Sequence, residues 1–348
     1  MGKLNDRLIY LDLLRILAVI SMVLLHVAAV EWHNSDSNTF VWLVSNTYNS
    51  IVRFCVPVFV MISGALFLNA QKEYPISHLF KKNILRIVTA FIIWSFLYAL
   101  YYSGLGRDGG FESTTIKKFI KAFISGHFHL WFLYMIFGIY LIIPFLRKIT
   151  QHVSLTKYFL ILWFIFALIF DNLRYINLFK EYVENIDNML QLYFVLGYSG
   201  FFILGHYINI SNFSKNTKSI IYILGICSII ATILITNSSG KYCSLPLHNY
   251  LFPTTCLSSM AIFLFFKDYT PTINFSEKLT KIIILISKYS FGIYLVHVFV
   301  LHLVKHFIPV NSFCPILSIP IITILVTIIS FMCVSIIDKI PIVKKYAI

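Results

Sequence analysis

An arginine and a histidine lie in the first apolar stretch of the chain, where ionisable side chains are costly. Arg15 and His26 are eleven residues apart. At about 100° per residue they lie within about 20° of each other around an α-helix, separated by about 16 Å along its axis. A charge at the centre of a bilayer costs about 2.5–3.5 kcal/mol on insertion scales, so such groups are functional candidates. Asp12 precedes Arg15 by one turn and is placed to pair with it.

The shared face of Arg15 and His26 suits a transferase that uses a long donor. The cation would hold an anionic head group, while the imidazole would act on a reactive tail. Acetyl-coenzyme A has this shape, because its phosphates and its thioester lie at opposite ends. The same residues also fit a structural role, in which Asp12 and Arg15 form a buried ion pair and His26 makes a hydrogen bond between helices.

Basic residues also lie at the start of the second and third apolar stretches. Arg53 precedes Pro57, which should bend its helix because proline removes a backbone hydrogen bond. The alternative to a chemical role for Arg53 is a packing kink beside a snorkelling arginine. Lys82 and Arg86 end a basic cluster that suits the phosphates of a nucleotide-like donor. The same cluster also fits a topology signal that contacts anionic lipid.

Two later stretches combine histidine with aromatic or hydroxyl side chains. His129, Trp131 and Tyr134 open the fourth apolar stretch. They form either a surface for carbohydrate rings or part of an interfacial aromatic belt. His297 ends a row spaced along one helical face, which is either polar glue between helices or the wall of a polar tunnel. The row consists of Ser287, Ser290, Tyr294 and His297.

Several familiar kinds of site are missing from the sequence. It contains no phosphate-binding loop, no nucleophile elbow and no zinc-protease motif. Its six cysteines form no C-x-x-C pair, so neither a structural metal nor a disulfide framework is expected.

The elements that must position these residues are membrane helices. The 348 residues are 59% hydrophobic and 12% charged, with a mean hydropathy of +0.82, whereas soluble domains are about 25% charged. Apolar stretches of roughly 18–24 residues, each able to cross about 30 Å of hydrocarbon, recur along the chain. We expect an all-α polytopic membrane protein, a bundle of about ten transmembrane helices in a single domain, 1–348. The predicted spans are 8–30, 50–69, 86–104, 128–146, 157–171, 190–208, 219–236, 250–266, 282–304 and 315–337.

The excess of basic residues predicts the orientation of these helices. The formal charge is +14, and seventeen of the 28 Lys and Arg flank the spans on the side of the N-terminus, against eight on the opposite side. Both termini should therefore be cytoplasmic. The unequal distribution of Lys and Arg between the two sides explains the positive net charge, so no nucleic-acid partner is needed to account for it. Of the two long outer loops, 105–127 and 171–189, the second could form a short amphipathic helix.

Together these residues resemble the acyltransferase-3 family of integral-membrane O-acyltransferases. Within that family the chain looks most similar to the type that O-acetylates enterobacterial common antigen. The resemblance rests on five motifs in order: Asp12-x-x-Arg15-x10-His26, Ser50-Ile-Val-Arg53-x-x-Val-Pro57-Val-Phe-Val-Met-Ile-Ser63-Gly64, the basic cluster ending in Arg86, His129-Leu-Trp131-Phe-Leu-Tyr134, and Ser290-Phe-Gly-Ile-Tyr294-Leu-Val-His297.

The resemblance implies a cytoplasmic acetyl-coenzyme A donor and a glycan or lipid-linked saccharide acceptor. It makes His26 the catalytic residue, as base or acetyl relay, with Arg15 as its partner along the donor channel. Many members have a second arginine where this chain has Asn83, so we expect Lys82 to replace it beside Arg86 as a point charge. The residues expected on the acceptor side are His129, Trp131, Tyr134, His297 and Arg53.

Two other functions are compatible with intramembrane charges. In a glycan or lipid transporter or flippase, the charged groups would line a path without chemistry, although the chain shows no symmetric halves with broken helices. The other large class of membrane-bound acyltransferases also uses an intramembrane histidine. The spacing from Arg15 to His26 argues against that class.

Overall fold

The computed structural model describes residues 7–37, 39–69, 74–105, 110, 112–190 and 197–341. Within these ranges the chain is predominantly helical and contains no strand, which confirms the all-α prediction. Eight of the described helical segments are long and apolar enough to cross a membrane. The chain is therefore an all-α, multi-pass membrane protein. Five of the counted Lys and Arg lie outside the described ranges: Lys3, Lys72, Arg107, Lys344 and Lys345.

The described residues form thirteen α-helices of eleven residues or more. They are α1 (Ile9–Asn34), α2 (Phe40–Ile51), α3 (Cys55–Phe67), α4 (Leu85–Ser103), α5 (Ser113–Ser125), α6 (Trp131–Thr150), α7 (Val153–Trp163), α8 (Lys180–Leu190), α9 (Ser199–Ile210), α10 (Lys215–Ser239), α11 (Pro253–Tyr269), α12 (Glu277–Phe307) and α13 (Pro315–Ile337).

Two predicted spans are occupied by shorter helices. For span 190–208, α9 has 12 residues, and residues 191–196 lie outside the described ranges. For span 250–266, α11 has 17 residues and begins at Pro253. Proline suits the first turn of a helix, because it has no N–H and its φ is already helical. Each of the other eight predicted spans overlaps one of the eight candidate membrane segments, three of which begin well before the predicted start: Phe40–Phe67, Ile76–Ser103 and Ser113–Thr150.

The chain forms two compact units. The first comprises residues 1–69 and 147–331, and the second comprises 70–146 and 332–348. In the first unit α1 packs along α12 and also contacts α2, α3 and α11. There α3 packs on α9, while α10 packs on α2 and α11. In the second unit α4 packs against α5.

The second predicted span is interrupted at residues 52–54, between α2 and α3. Pro57 lies in the first turn of α3 and has no N–H to donate to the carbonyl of Arg53. The chain turns there instead, and the Cys55 N–H bonds the Val52 carbonyl at 3.0 Å. The break therefore lies one turn ahead of Pro57, and it puts Arg53 at the interruption.

Two glycines allow the backbones of α3 and α9 to touch. A Cβ on Gly64 would lie 1.7 Å from the Phe202 carbonyl oxygen, and one on Gly205 would lie 2.1 Å from the Met61 carbonyl oxygen. Small residues at such crossings are typical of membrane helices, whose association depends on close packing.

The two long outer loops both contain helices. In the second, α8 overlaps the stretch predicted to be amphipathic, and Arg174 bonds the Asp171 carboxylate and, at 2.9 Å, that of Asp187. The first contains α5, which the sequence analysis did not predict. Its isoleucines and phenylalanines recur at helical spacing, so a signal for it was present.

Candidate active site

The face of α1 that carries Arg15 and His26 lies against α12. The Arg15 guanidinium donates to Ser287 Oγ at 3.1 Å, and His26 Nδ1 lies 2.9 Å from His297 Nε2. Ser287 and His297 are ten residues apart, so the two contacts are separated by about 15 Å along α12. The shared face predicted for α1 is present, and the row predicted on α12 lies opposite it.

A charged cluster occupies the end of this contact nearest the N-terminus. The Asp12 carboxylate accepts both arms of the Arg7 guanidinium, at 2.7 and 2.8 Å, and the Ser287 hydroxyl at 2.6 Å. Arg15 lies 3.7 Å from the same carboxylate, so the predicted pair exists. Two guanidinium groups surround one carboxylate, and the cluster therefore has a net charge of +1.

Arg7 belongs to this charged cluster, whereas in the sequence it counted only among the basic residues that predict the orientation of the helices. Its hydrogen bond to Asp12 raises the pKa of the Arg7 guanidinium. Helical spacing could not identify the pair, because Arg7 precedes the first residue of α1. A basic residue five positions before a buried aspartate was the only sign of it.

The hydrogen bonds of His297 determine which nitrogens carry protons. His297 is fully buried, and its Nδ1 lies 2.7 Å from the Tyr294 carbonyl oxygen. A carbonyl only accepts, so Nδ1 carries the proton, and Nε2 of neutral His297 accepts from His26 Nδ1–H. The lone pair of neutral His26 is then on Nε2. The paired rings are stacked, with centroids 4.9 Å apart.

Arg53 lies beside the non-helical segment 243–252, in which the sequence indicated no functional residue. Its guanidinium carbon is 5.6 Å from the ring centroid of Tyr250. In the same segment His248 Nε2 lies 3.1 Å from Ser50 Oγ. Burial, aided by the charge of Arg53, lowers the pKa of His248 to about 3. Burial raises the pKa of Tyr250 to about 12, although Arg53 opposes the shift. Both side chains are therefore uncharged near neutral pH.

In the second unit, His129 belongs to an aromatic cluster. It is 2% exposed, and its Nδ1 lies 3.0 Å from Nδ1 of His127. The His127 ring stacks against those of both Tyr98 and Tyr102, with centroids 4.7 and 4.8 Å away. Trp131 follows at the start of α6 and is partly exposed. Sequence spacing could not reveal this cluster, because its tyrosines come from a different helix, α4.

Tyr134 has a packing role that the sequence did not suggest. Its hydroxyl donates to the Ile124 carbonyl, and its ring lies 4.5 Å from that of Phe91. Tyr134 therefore connects α6 to both α5 and α4.

Lys82 and Arg86 form the basic start of α4, also in the second unit. Lys82 lies in a π-helical segment, Leu79–Ile84, and Arg86 lies in the first turn of α4. Both side chains are exposed. Residues four apart are neighbours on a helix surface, so the two cations can face the same ligand.

Comparison with known proteins identifies one family. A family model described as an acyltransferase domain matches residues 8–335, which include all the predicted site residues. No curated protein and no solved structure matches the chain.

Proposed function

Because the chain belongs to the acyltransferase-3 family, we propose that it transfers an acetyl group from acetyl-coenzyme A to a hydroxyl group of a cell-surface glycan or its lipid-linked precursor. The observation that carries the proposal is the hydrogen bond between His26 and His297 on the helix contact that also holds the Arg15 cluster. The contact of α1 with α12 thus holds an oriented base and a cationic group on one face of α1, about 16 Å apart along the helix axis.

The charged cluster suits the anionic end of the donor. Asp12 is 3% exposed and is occupied by its hydrogen bonds to Arg7 and Ser287. The side chains of Arg7 and Arg15 retain 39% and 26% of their exposure. The accessible part of the cluster is therefore cationic, and we assign Arg15 to the anionic end of acetyl-coenzyme A. The sequence resemblance, taken by itself, also makes Lys82 and Arg86 candidates for binding donor phosphates.

His26 performs the proton transfer in this proposal. Its Nε2 takes the proton of an acceptor hydroxyl as the oxygen attacks the thioester carbonyl carbon. The C–S bond then breaks, and the imidazolium returns the proton to the thiolate of coenzyme A. General base catalysis of this kind contributes about 10²–10⁴-fold in rate. In the relay route, His26 attacks the thioester itself and passes the acetyl group on.

His297 positions the His26 ring rather than touching the substrate. The Tyr294 carbonyl holds the His297 proton on Nδ1, so His297 Nε2 can accept from His26. An imidazole whose second nitrogen is engaged in this way is held in one tautomer and one orientation. Access of His26 Nε2 to the reacting groups therefore depends on His297.

We propose a glycan acceptor and a bacterial inner-membrane location on the strength of the sequence resemblance. The similarity to the type that O-acetylates enterobacterial common antigen makes a surface polysaccharide the first acceptor to test. His129, Trp131 and Arg53 are assigned to the acceptor side. Tyr134 is assigned there as well, in addition to its packing role.

The test is the variant His26→Ala at matched membrane expression. We expect glycan O-acetylation, scored by mass spectrometry, to fall by about 10² or more, because the general base is lost. The control is His306→Ala, which removes an exposed histidine near the end of the same helix as His297. Unchanged acetylation in His26→Ala would exclude it as the catalytic residue.

A second measurement separates acyl transfer from transport. Isolated membranes should consume labelled acetyl-coenzyme A when an acceptor is present, and consumption should fall in acid as the His26 imidazole is protonated. Membranes that move a glycan without consuming the donor would contradict the proposal in favour of a transporter.

A further inference from the structure

One face of α2, together with Arg53 in the interruption that follows it, buries a row of polar atoms without hydrogen-bond partners among the described residues. They are Trp42 Nε1, Ser45 Oγ, Asn49 Oδ1 and Arg53 Nε. On a continuous helix these positions would span only about 80° around the axis. Trp42 and Ser45 are 0% exposed and Asn49 is 1% exposed. An unsatisfied buried polar atom destabilises the folded protein, and native proteins rarely keep several together. The row therefore indicates a polar occupant.

Neighbouring polar groups show what a satisfied position looks like in this region. Asn46, one residue beyond Ser45, accepts from Trp32 Nε1 at 3.0 Å and donates to Thr236 Oγ1 at 2.7 Å. Ser50 contacts His248. The surroundings of α2 thus supply specific partners for some polar side chains, whereas these four atoms have none among the described residues.

Arg53 gives the row a charge. Among the described residues, no carboxylate oxygen lies within 4.0 Å of its guanidinium. The groups that face it from the 243–252 segment are the uncharged Tyr250 and His248. Arg53 is partly buried and contacts the Tyr250 side chain, but its buried Nε has no partner among the described residues. An anion would neutralise the guanidinium and accept from that N–H. The ligand that the row favours therefore includes an anionic group.

We propose that this row, called the α2 polar row, binds a saccharide bearing a carboxylate or phosphate, with the anion on Arg53. Guanidinium forks match both anions. The uncharged polar groups of Trp42, Ser45 and Asn49 can exchange hydrogen bonds with hydroxyls, because they include both donors and acceptors. This assignment rests on the proposed acyl transfer and specifies an acidic acceptor.

The location of the row relative to His26 fits an acceptor site. His248 packs its ring against Trp32, with centroids 5.8 Å apart. Trp32 follows His26 by six residues on α1, which is about 9 Å along the helix axis. A saccharide held at Arg53 and His248 would therefore lie near the part of α1 that follows His26.

Direct binding to the purified full-length protein tests the α2 polar row without any chemistry. Glucuronate and inorganic phosphate should raise the temperature of thermal unfolding in a saturable way, because a ligand of the folded state stabilises it. Glucose at equal concentration should shift it far less. Arg53→Gln should weaken the apparent affinity for glucuronate at least tenfold. Lys215→Gln removes an exposed cation of α10 and should bind like the wild type.

Asn49→Asp provides a test that keeps the arginine. The new carboxylate, four residues before Arg53, would neutralise the guanidinium from within the chain and should abolish the glucuronate shift without unfolding the protein. Equal shifts in wild type, Arg53→Gln and Asn49→Asp would overturn the proposal. So would the absence of any shift in the wild type with either anion.

Activity measurements distinguish a failure of this site from a failure of acyl transfer. With an acidic acceptor, Arg53→Gln should raise KM at least tenfold, and the rise in KM should be several-fold smaller with a neutral acceptor. Arg53-dependent binding without consumption of acetyl-coenzyme A would refute acyl transfer but keep an anion site. Normal acetylation of an acidic acceptor by Arg53→Gln, with an unchanged KM, would refute the binding role proposed for the α2 polar row.

Discussion

The hydrogen bond between His26 and His297 gives the two imidazoles different parts in the proposed chemistry. His297 is buried and bound at both nitrogens, to the Tyr294 carbonyl and to His26. It therefore cannot reach an acceptor hydroxyl itself. His26 is only partly buried and carries its lone pair on Nε2. Its partner thus governs the orientation and tautomer of the base.

This division predicts different kinetics for the two histidines. His297→Ala should lower kcat by about 10²-fold, the size of loss that a misplaced catalytic group can produce, with little change in KM. His297→Gln should restore much of the rate, because its amide oxygen can accept from His26 Nδ1–H. Steady-state rates from pH 5 to 8 provide the measurement, and the Ala variant should alter the profile. Full activity of His297→Ala, or a His297→Gln variant as slow as His297→Ala, would contradict the proposal that His297 positions the His26 ring.

For individual residues, the sequence predicted which side chains share one face of a helix, but not which residues of other helices they contact. Helical period alone placed Arg15 and His26 on one side of α1 and found the row that ends in His297. It could not pair them, because the contact joins residues 271 positions apart and depends on how two helices align. His248 and Tyr250 carried no periodic signal, since their segment is not helical.

Among the elements, the crossing of α3 and α9 is the most sensitive to side-chain size. Gly64→Ala would put a Cβ into the Phe202 carbonyl, and overpacking of this kind costs about 1–3 kcal/mol or more. We expect a lower unfolding temperature and loss of the monodisperse peak in size-exclusion chromatography. Gly138→Ala is the matched control, because nothing lies within 4 Å of its new Cβ. An equal response of the two variants would contradict the packing described for α3 and α9.

Hydropathy predicted where the long helices lie better than where they begin. Eight predicted spans overlap candidate membrane segments, but α11 begins at Pro253 rather than at the predicted residue 250. A bend was expected near Pro57, and the helix is interrupted one turn earlier, because proline leaves the carbonyl four residues before it without a hydrogen-bond donor. The α5 helix was not predicted, because its lysines lower the hydropathy of the segment that contains it.

For the whole molecule, the basic residues predict which side each loop faces. With the N-terminus inside, Cys243 and Cys314 fall in outer loops, and Cys314 is exposed. A membrane-impermeant maleimide should label Cys314 of the Cys243→Ser variant in spheroplasts without permeabilisation, and adding Cys314→Ser should remove that signal. Cys227, within α10, is the internal comparison, because hydrocarbon should shield it from an aqueous reagent. Labelling of Cys314 only after permeabilisation would reverse the orientation.

The contact of α3 with α9 also bears on conformational change. Backbone atoms have no rotamers, so a crossing in which two glycines meet opposing carbonyls cannot yield by side-chain rearrangement. Sliding one helix past the other would drive main-chain atoms together. This pair should therefore move as a rigid body, and any opening that admits a large ligand must occur where helices meet through longer, rotatable side chains.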